Sequence, residues 1–320
     1  MSLYINGKYM IVAKEVVYHI MLMIKMEQLK KFESIIRQII GENKYLLNAL
    51  TCIKERGDKI PSVELSYVAG SCFIKSSNTI KIGVPDILEC YGLSKKFNKG
   101  LVNIIGFKPL LDKYKCPFDS SLGLSVTISS AEHELVEKQI IESDFLKNEE
   151  VAPCDVLAIY SLAYSLYHEI GHALHDKYIP ESKQINRERA ADAFAFETLK
   201  YMQVKEDNDI LLLGAFIGII QIWEKLNFNQ ELEDNDHPHC IERLNSLLDF
   251  WGLGEDSCYW ELAYKNVCEW CKKNNLSNKW DNDFSATYNE RFKRSYNFFR
   301  KESYLKSYSK SIKYNFLSKD

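Results

Sequence analysis

The stretch Tyr167-His168-Glu169-Ile170-Gly171-His172-Ala173-Leu174 places two histidines four residues apart. On a helix this spacing puts both side chains on one face, about one turn apart, so the imidazoles of His168 and His172 can reach a single metal ion. Glu169 points to the neighbouring edge of that face, where it can take a proton from a metal-bound water. The stretch therefore predicts a helix that binds a metal ion through two histidines.

These residues form the H-E-x-x-H pattern of zinc hydrolases. A catalytic zinc ion usually has three protein ligands and keeps a fourth position for water. His168 and His172 supply two ligands, so a carboxylate or histidine from another element has to supply the third. His175 shares the face, but seven residues put it about 10 Å along the helix axis from His168, too far for bonds of about 2 Å to one ion. We expect His175 at the surface or beside the site.

The best candidate for the third ligand is Glu188, which lies four residues before Asp192. Both carboxylates can therefore face the histidine helix. We predict that Glu188 binds the metal ion and that Asp192 accepts a hydrogen bond from the free ring nitrogen of a ligating histidine. The small residues Ala190, Ala191 and Ala193 would let the two helices approach closely. The alternative is that Glu188, which lies between two arginines, belongs to a solvated charged face.

A third element contains His237, Pro238 and Arg243. His237 precedes a predicted helix, a place from which its side chain can project into a cleft and stabilise the oxyanion formed when water attacks a peptide carbonyl. Arg243 can pair with Asp192 or a nearby carboxylate and so hold the helices together. The alternative is an ordinary helix start with a surface arginine.

The composition is that of a globular protein of 320 residues, with 46% apolar and 27% charged residues. A net charge of -3 argues against nucleic-acid binding by the whole molecule. Nine scattered cysteines fit a reducing cytosol. We expect reduced thiols in the C-x-x-C pair Cys268 and Cys271, with a structural zinc site as the alternative. The apolar segments 10–26 and 210–223 are charge-interrupted or shorter than the about 20 residues that span a bilayer, so a cytoplasmic protein without membrane contact is expected.

The first 150 residues combine helix and strand signals. Helical periodicity or helix starts occur at 10–40, 45–53 and 85–91. Alternating apolar residues occur at 63–67, 72–74, 79–84, 101–107 and 124–129. The turn Ser76-Ser77-Asn78 joins two of these strands into a hairpin. The fold class is therefore predicted to be α+β, with a small N-terminal mixed or antiparallel sheet and a mostly helical, zincin-like catalytic core.

After residue 150 the pattern is almost wholly helical. Helices are predicted over about 156–176, 187–202, 210–226, 238–250, 259–273 and 284–320. Asp155 and Asn186 are expected to cap the first two, and Pro238 suits the first turn of the fourth. Three parts follow from this: an α+β N-terminal half at 1–150, a helical zinc-peptidase core at 151–255, and a C-terminal helical extension at 256–320.

The extension ends in a basic aromatic tail, residues 291–320, with nine Lys/Arg, two acids and eight Phe/Tyr. Such a tail could contact RNA or an acidic protein surface through charge and stacking. The alternative, which we favour, is an amphipathic helix whose aromatic side chains pack on the domain and whose lysines are solvated.

The order of the motifs resembles the Lit-type phage-exclusion zinc metallopeptidases, a gluzincin family. The resemblance is carried, within about residues 155–250, by His168-Glu169-Ile170-Gly171-His172, Glu188-Arg189-Ala190-Ala191-Asp192 and His237-Pro238 with Arg243. It implies a soluble zinc endopeptidase in phage defence and suggests elongation factor Tu as substrate. A cytosolic peptidase group that cleaves phage-type repressors shares the first two motifs. Membrane-bound prenyl-protein and heat-shock proteases share the order but add transmembrane helices.

We therefore expect a zinc metallopeptidase with one Zn²⁺ per chain, Glu169 as general base and His237 at the oxyanion. Its substrate, a protein, could add a strand to the sheet edge near residues 124–129. An activating protein or peptide fits the need to restrain a cytosolic protease, and nucleic acid is expected at most at the tail. The competing class is a non-enzymatic, zinc-stabilised binding protein, in which His237 or a cysteine would close the metal site.

Overall fold

The protein is mostly helical and has a small mixed sheet in its N-terminal part, which confirms the predicted α+β class. Two compact units, Met1–Ile159 and Tyr160–Asp320, divide the chain inside a long helix. The predicted division into three parts stays a prediction. The computed structural model describes residues 2–5, 8–11, 30–31, 34, 44–67, 70–101, 126–128, 153–175, 183–206, 210–225, 236–276 and 285–301.

Up to residue 128, six strands and two helices of the first unit are described from end to end. They are β1 (Ser2–Ile5), β2 (Lys8–Ile11), α1 (Lys44–Glu55), β3 (Ser62–Ser66), β4 (Cys72–Ile74), β5 (Thr79–Gly83), α2 (Val84–Leu101) and β6 (Val126–Ile128). Strands β1 and β2 pair antiparallel with each other. The other four form a sheet in the order β4-β5-β3-β6, in which β3 runs parallel to β5 and β6 while β4 runs antiparallel to β5.

Alternating apolar residues give this sheet a buried face. Val63, Leu65, Ile80 and Ile82 are fully buried, as the period of two in their strands predicts. The predicted hairpin is confirmed as β4 and β5, joined through a turn in which Asn78 has a φ of +51°. Asparagine tolerates this left-handed conformation better than most residues.

Several predicted boundaries in the first unit are wrong. Met10 and Ile11 belong to β2 rather than to a helix, although Lys30, Lys31 and Ser34 are helical as predicted. Helix α2 does not end near residue 91 but continues to Leu101, since no proline interrupts it after its first turn. The predicted strand at 101–107 therefore loses its first residue to the helix, and the rest of it lies outside the described residues. The strand predicted at 124–129 is present as β6.

After residue 150 the chain follows the predicted order of helices closely. The described helices there are α3 (Pro153–His175), α4 (Gln184–Glu206), α5 (Ile210–Lys225), α6 (Cys240–Trp251), α7 (Cys258–Lys273) and α8 (288–301). None of the described helices is both long and apolar enough to cross a membrane.

Three predicted helix starts are wrong by two or three residues. Helix α3 begins at Pro153, which suits a first helical position, so Asp155 lies inside the first turn. Asn186 is the third residue of α4 rather than its cap. Helix α6 begins at Cys240 with His239 as its N-cap, so Pro238 precedes the helix. Each error arises because several residues near one helix end can serve as a cap or first-turn residue.

Helix α8 has an amphipathic character. Phe292 and Phe299 are buried, with ring centroids 5.7 Å from Trp260 and 5.6 Å from Trp270, respectively. The Nζ atom of Lys293 forms an ion pair with Oδ1 of Asp249 at 2.6 Å. The described first part of the basic aromatic tail therefore packs its aromatic rings on the unit, and residues 302–320 lie outside the described range.

Helices α3 and α4 touch at their backbones. A Cβ built on Gly171 would lie 2.8 Å from the Cα of Ala191 and 3.2 Å from its Cβ. Real Cβ atoms do not approach a backbone so closely, which means that only glycine allows this crossing. The prediction that small residues on α4 permit a close approach has its counterpart on α3, in the glycine of the H-E-x-x-H stretch.

We expect Gly171→Ala to lower the free energy of unfolding by about 1–3 kcal/mol, because the added methyl group forces two backbones apart. All five tryptophans lie in Tyr160–Asp320, so urea unfolding followed by tryptophan fluorescence reports on this unit. Gly254→Ala is the matched control, since a Cβ there meets nothing within 4 Å. Equal stability of the two variants would contradict the close approach of α3 and α4.

Candidate metal centre

Helix α3 presents its two motif histidines inside the second unit. His168 and His172 are 8% and 7% exposed, and their Nε2 atoms lie 3.1 Å apart. The rings meet edge to face, with centroids 4.8 Å apart. Two ring nitrogens thus point to one spot from successive turns of a helix, as the spacing predicts.

Helix α4 places Glu188 opposite the histidines. Its Oε2 lies 3.3 Å from Nε2 of His168, and its Oε1 lies 3.2 Å from Nε2 of His172. Glu188 is 3% exposed, so the alternative hypothesis that it belongs to a solvated charged face is wrong. The close crossing at Gly171 and Ala191 brings the carboxylate within reach of both rings.

His168, His172 and Glu188 form a group that could bind a metal ion. Each offers a ligand atom, and these atoms lie within 4.8 Å of one another. Within the described part of the chain, this is the one group of three or more His, Cys, Asp or Glu residues with such an arrangement. Cys268 and Cys271 have free thiols and are not part of any such group there.

Asp192 lies behind the histidines, one turn after Glu188. Its Oδ1 is 2.9 Å from Nδ1 of His168 and accepts a hydrogen bond from the hydroxyl of Tyr164 at 2.9 Å. A carboxylate at Nδ1 favours a proton on that nitrogen and leaves Nε2 free for a metal ion. Tyr164 is fully buried; burial and the charge of Asp192 raise its pKa well above 10, so its hydroxyl remains a donor.

Arg243 links the two carboxylates from helix α6. Its Nη1 donates to Oδ1 of Asp192 at 2.7 Å, and its Nη2 donates to Oε2 of Glu188 at 3.0 Å. The side chain of Arg243 is 5% exposed. Gln184 adds a further donor, with its amide nitrogen 3.0 Å from Oε1 of Glu188. Arg243 and Gln184 thus fix both oxygens of Glu188 from two sides.

These charges decide the protonation of the metal-free centre. Burial alone would lower the pKa of His168, but the charge and hydrogen bond of Asp192 and the hydrogen bond to Glu188 raise it to about 9. Burial likewise opposes the rise in the pKa of His172 that Glu188 produces. Burial would raise the pKa of Glu188, yet its hydrogen bonds to both histidines lower it overall. In the metal-free centre, protonation of His168 is therefore favoured at neutral pH.

The remaining predicted residues lie around this group. Glu169 is buried on α3 next to His168. His237 is about half exposed, with its Nε2 3.6 Å from Oε1 of Glu188. His175 is the last residue of α3 and packs edge to face on Phe194, with ring centroids 6.3 Å apart.

Sequence reasoning did not identify Tyr164 or Gln184. Each precedes a site residue by four positions, Tyr164 before His168 and Gln184 before Glu188. The i, i+4 spacing was the available signal, since it places both on the faces that carry the site.

Comparison with known proteins supports a peptidase. Residues 123–263 match the family model Peptidase U49. The matched segment contains every predicted site residue from His168 to Arg243. No curated protein and no solved structure matches the chain.

We expect Arg243→Met to lower the free energy of unfolding by about 3–5 kcal/mol, because it leaves two buried carboxylates without their cation. Arg189→Met is the matched control. The side chain of Arg189 is 50% exposed in its ion pair with Glu242, so its loss should cost no more than about 1 kcal/mol. Urea unfolding of the metal-free proteins, followed by tryptophan fluorescence, measures the free energy of unfolding of both variants. Similar losses in the two variants would contradict a buried ionic network.

Metal affinity is expected to depend on pH through His168. Its pKa of about 9 means that a metal ion has to displace a proton below this pH. The apparent affinity should rise by up to about tenfold per pH unit from pH 7 and level off above about pH 9. Zinc titration against a chelator of known pH dependence measures this. An affinity that stays constant between pH 7 and 9 would show that His168 does not exchange a proton for the metal.

Proposed function

We propose that this protein is a zinc-dependent endopeptidase of the Lit-type, gluzincin class, acting on a peptide bond of another protein. The observation that carries the proposal is the group of donor atoms on His168, His172 and Glu188. The two Nε2 atoms lie 3.1 Å apart, Oε1 of Glu188 lies 3.2 Å from Nε2 of His172, and Oε2 of Glu188 lies 3.3 Å from Nε2 of His168. Two ligands that each lie about 2.05 Å from a tetrahedral zinc ion are about 3.3 Å apart.

The donor set also fits zinc chemically. Two imidazoles and one carboxylate are the ligands of several catalytic zinc sites, which leave a further position open. Zinc bound there supplies Lewis acidity, which polarises the scissile carbonyl and lowers the pKa of water towards 7. Asp192 holds His168 by its Nδ1, and Arg243 holds Asp192 and Glu188, so the donors are oriented before any ligand arrives.

Glu169 is proposed as the general base. Its carboxylate takes a proton from the attacking water and later delivers it to the leaving amine nitrogen, while the carbonyl carbon gains the water oxygen and loses the amine. Glu169 is buried on the helix that carries both histidines, next to His168, so the fold fixes its position relative to the ligands.

His237 is proposed to stabilise the oxyanion. Its side chain is about half exposed and its Nε2 lies 3.6 Å from Oε1 of Glu188, so the ring borders the donor group and is partly accessible to solvent. A donor at this position would stabilise charge that develops on the carbonyl oxygen of the substrate.

The biological setting is proposed from the motif resemblance. The resemblance to the Lit-type family suggests a role in phage exclusion in the cytoplasm, with elongation factor Tu as the protein cleaved. The alternative is cleavage of a regulatory repressor. Strand β6 ends the order of its sheet among the described strands, which suits the proposal that a substrate strand pairs there. An activating protein or peptide remains part of the proposal.

A non-enzymatic, zinc-stabilised binding protein is the competing class. It requires a fourth protein ligand that closes the metal site. Within the described residues the group has three members, and His237 is the neighbour that could become a fourth. A buried Glu169 beside the histidines favours the enzyme, because a structural zinc site has no need of a base.

We expect Glu169→Gln to bind zinc as the wild type does but to lose peptide hydrolysis by at least about 10²- to 10⁴-fold, because the amide cannot accept the proton. New protein N-termini, labelled and counted by mass spectrometry in cells that express each variant, measure the cleavage. Glu197→Gln makes the same change at an exposed position of α4 and should cleave normally. Full cleavage by Glu169→Gln would refute the role as a base.

We expect His237→Ala to retain zinc affinity and to lower the rate of hydrolysis about 10²- to 10³-fold, the usual effect of removing one oxyanion donor. Zinc affinity by chelator competition and cleavage by N-terminal labelling are measured on the same preparation. A strong loss of zinc affinity would instead identify His237 as the fourth ligand of a closed site and support the binding protein.

A further inference from the structure

Tyr164 occupies a defined position behind the metal centre. It precedes His168 by one helical turn on α3, and its hydroxyl donates to Oδ1 of Asp192 at 2.9 Å. The side chain is 1% exposed, and its ring stacks on Phe196 with centroids 6.0 Å apart. No step of the proposed reaction uses this hydroxyl.

One oxygen of Asp192 accepts hydrogen bonds from two side chains and lies beside a third. Oδ1 lies 2.9 Å from the hydroxyl of Tyr164, 2.7 Å from Nη1 of Arg243 and 2.9 Å from Nδ1 of His168. Arg243 also holds Glu188, so it sets the carboxylate of Asp192 relative to the other acid of α4. Tyr164 shares helix α3 with His168, so its hydroxyl sets the same carboxylate relative to the histidine.

Packing from α5 limits the movement of the tyrosine ring. A Cβ built on Gly218 would lie 2.7 Å from Cδ1 of Tyr164 and 3.3 Å from the backbone oxygen of Ser161. The backbone of α5 thus lies against the ring, and Phe196 stacks on it. A side chain held in this way directs its hydroxyl to one place, which a freely rotating side chain would not do.

We propose that Tyr164 is a positioning residue of the metal centre, whose hydroxyl holds Oδ1 of Asp192 against Nδ1 of His168 and thereby keeps Nε2 of His168 directed at the metal. This inference rests on the proposed function, because it assigns the residue a role towards bound zinc. Without the hydroxyl, the carboxylate of Asp192 can follow Arg243 and leave the imidazole less firmly oriented.

The first test compares Tyr164→Phe with Tyr264→Phe. Both substitutions remove only the hydroxyl of a buried tyrosine in the same unit, and Tyr264 lies on α7, where its ring contacts Tyr288 and Arg291. Mutations of groups that orient metal ligands typically weaken metal binding about 10- to 100-fold. Tyr164 acts through Asp192, so we expect zinc affinity to fall about threefold to tenfold. Tyr264→Phe should keep the wild-type affinity, and an unchanged affinity in Tyr164→Phe would overturn the proposal.

The second readout is the proton NMR signal of the Nδ1–H group of His168, in protein labelled with ¹⁵N-histidine. We expect Tyr164→Phe to shift this signal and to speed its exchange with water, with and without zinc, while Tyr264→Phe leaves it unchanged. An unchanged signal overturns the proposal whatever the affinity does. The zinc-free measurement separates the two ideas: a wild type that binds no zinc refutes the proposed function, while the zinc-free signal still decides whether Tyr164 positions His168.

Gly218→Ala provides an independent second variant, which also covers a Tyr164→Phe protein that fails to fold. The added methyl group displaces the ring of Tyr164 from the α5 side without touching Asp192. We expect it to alter the His168 signal and zinc affinity in the same direction as Tyr164→Phe. In the double variant Tyr164→Phe/Gly218→Ala, the changes in zinc affinity and in the His168 signal should be smaller than the sum of the changes in the two single variants, because both substitutions act through one hydroxyl. Fully additive effects would overturn the proposal.

Discussion

The buried ion network centred on Arg243 is the interaction on which the site depends. Asp192 and Glu188 place two carboxylates one turn apart in a desolvated interior, a costly arrangement unless a cation lies between them. Arg243 supplies that cation, with a hydrogen bond to each acid. The raised pKa of His168 has the same origin, since two acids and one guanidinium leave an excess of negative charge. A proton offsets this charge in the metal-free chain, and a divalent ion would offset it more fully.

The close packing of the helices fixes the positions of these charged groups relative to one another. Gly171 lies inside the H-E-x-x-H stretch, and its missing side chain lets α4 approach α3 at Ala191. The same stretch thus carries two of the proposed ligands and the contact that brings the third proposed ligand to them. Gly218 likewise lets the backbone of α5 approach the ring of Tyr164 on α3. Donors held by packing do not have to reorganise, so a metal ion that bound there would cost little conformational entropy of the side chains.

The sequence allowed the histidine pair and the facing carboxylates to be predicted, because spacing on a helix fixes which side chains share a face. It could not show that Arg243 reaches both acids, since that depends on how α6 approaches α4. The i, i+4 spacing from His168 places Tyr164 on the face of the site but does not show that its hydroxyl reaches Asp192, because a buried tyrosine on an apolar face is equally well explained by core packing. The predicted starts of the helices that begin at Pro153, Gln184 and Cys240 were wrong by two or three residues, because no single cap residue marks these helix ends.

The most direct test of the account is the molar ratio of zinc to protein by elemental mass spectrometry, measured in parallel on the wild type and on Glu188→Ala, without chelator. The account predicts about one zinc ion per wild-type chain and its loss in the variant, because one of three ligands is gone. Stoichiometric zinc in Glu188→Ala would make Asp192 the ligand instead. No zinc in the wild type would contradict the account and make the histidine helix a structural element.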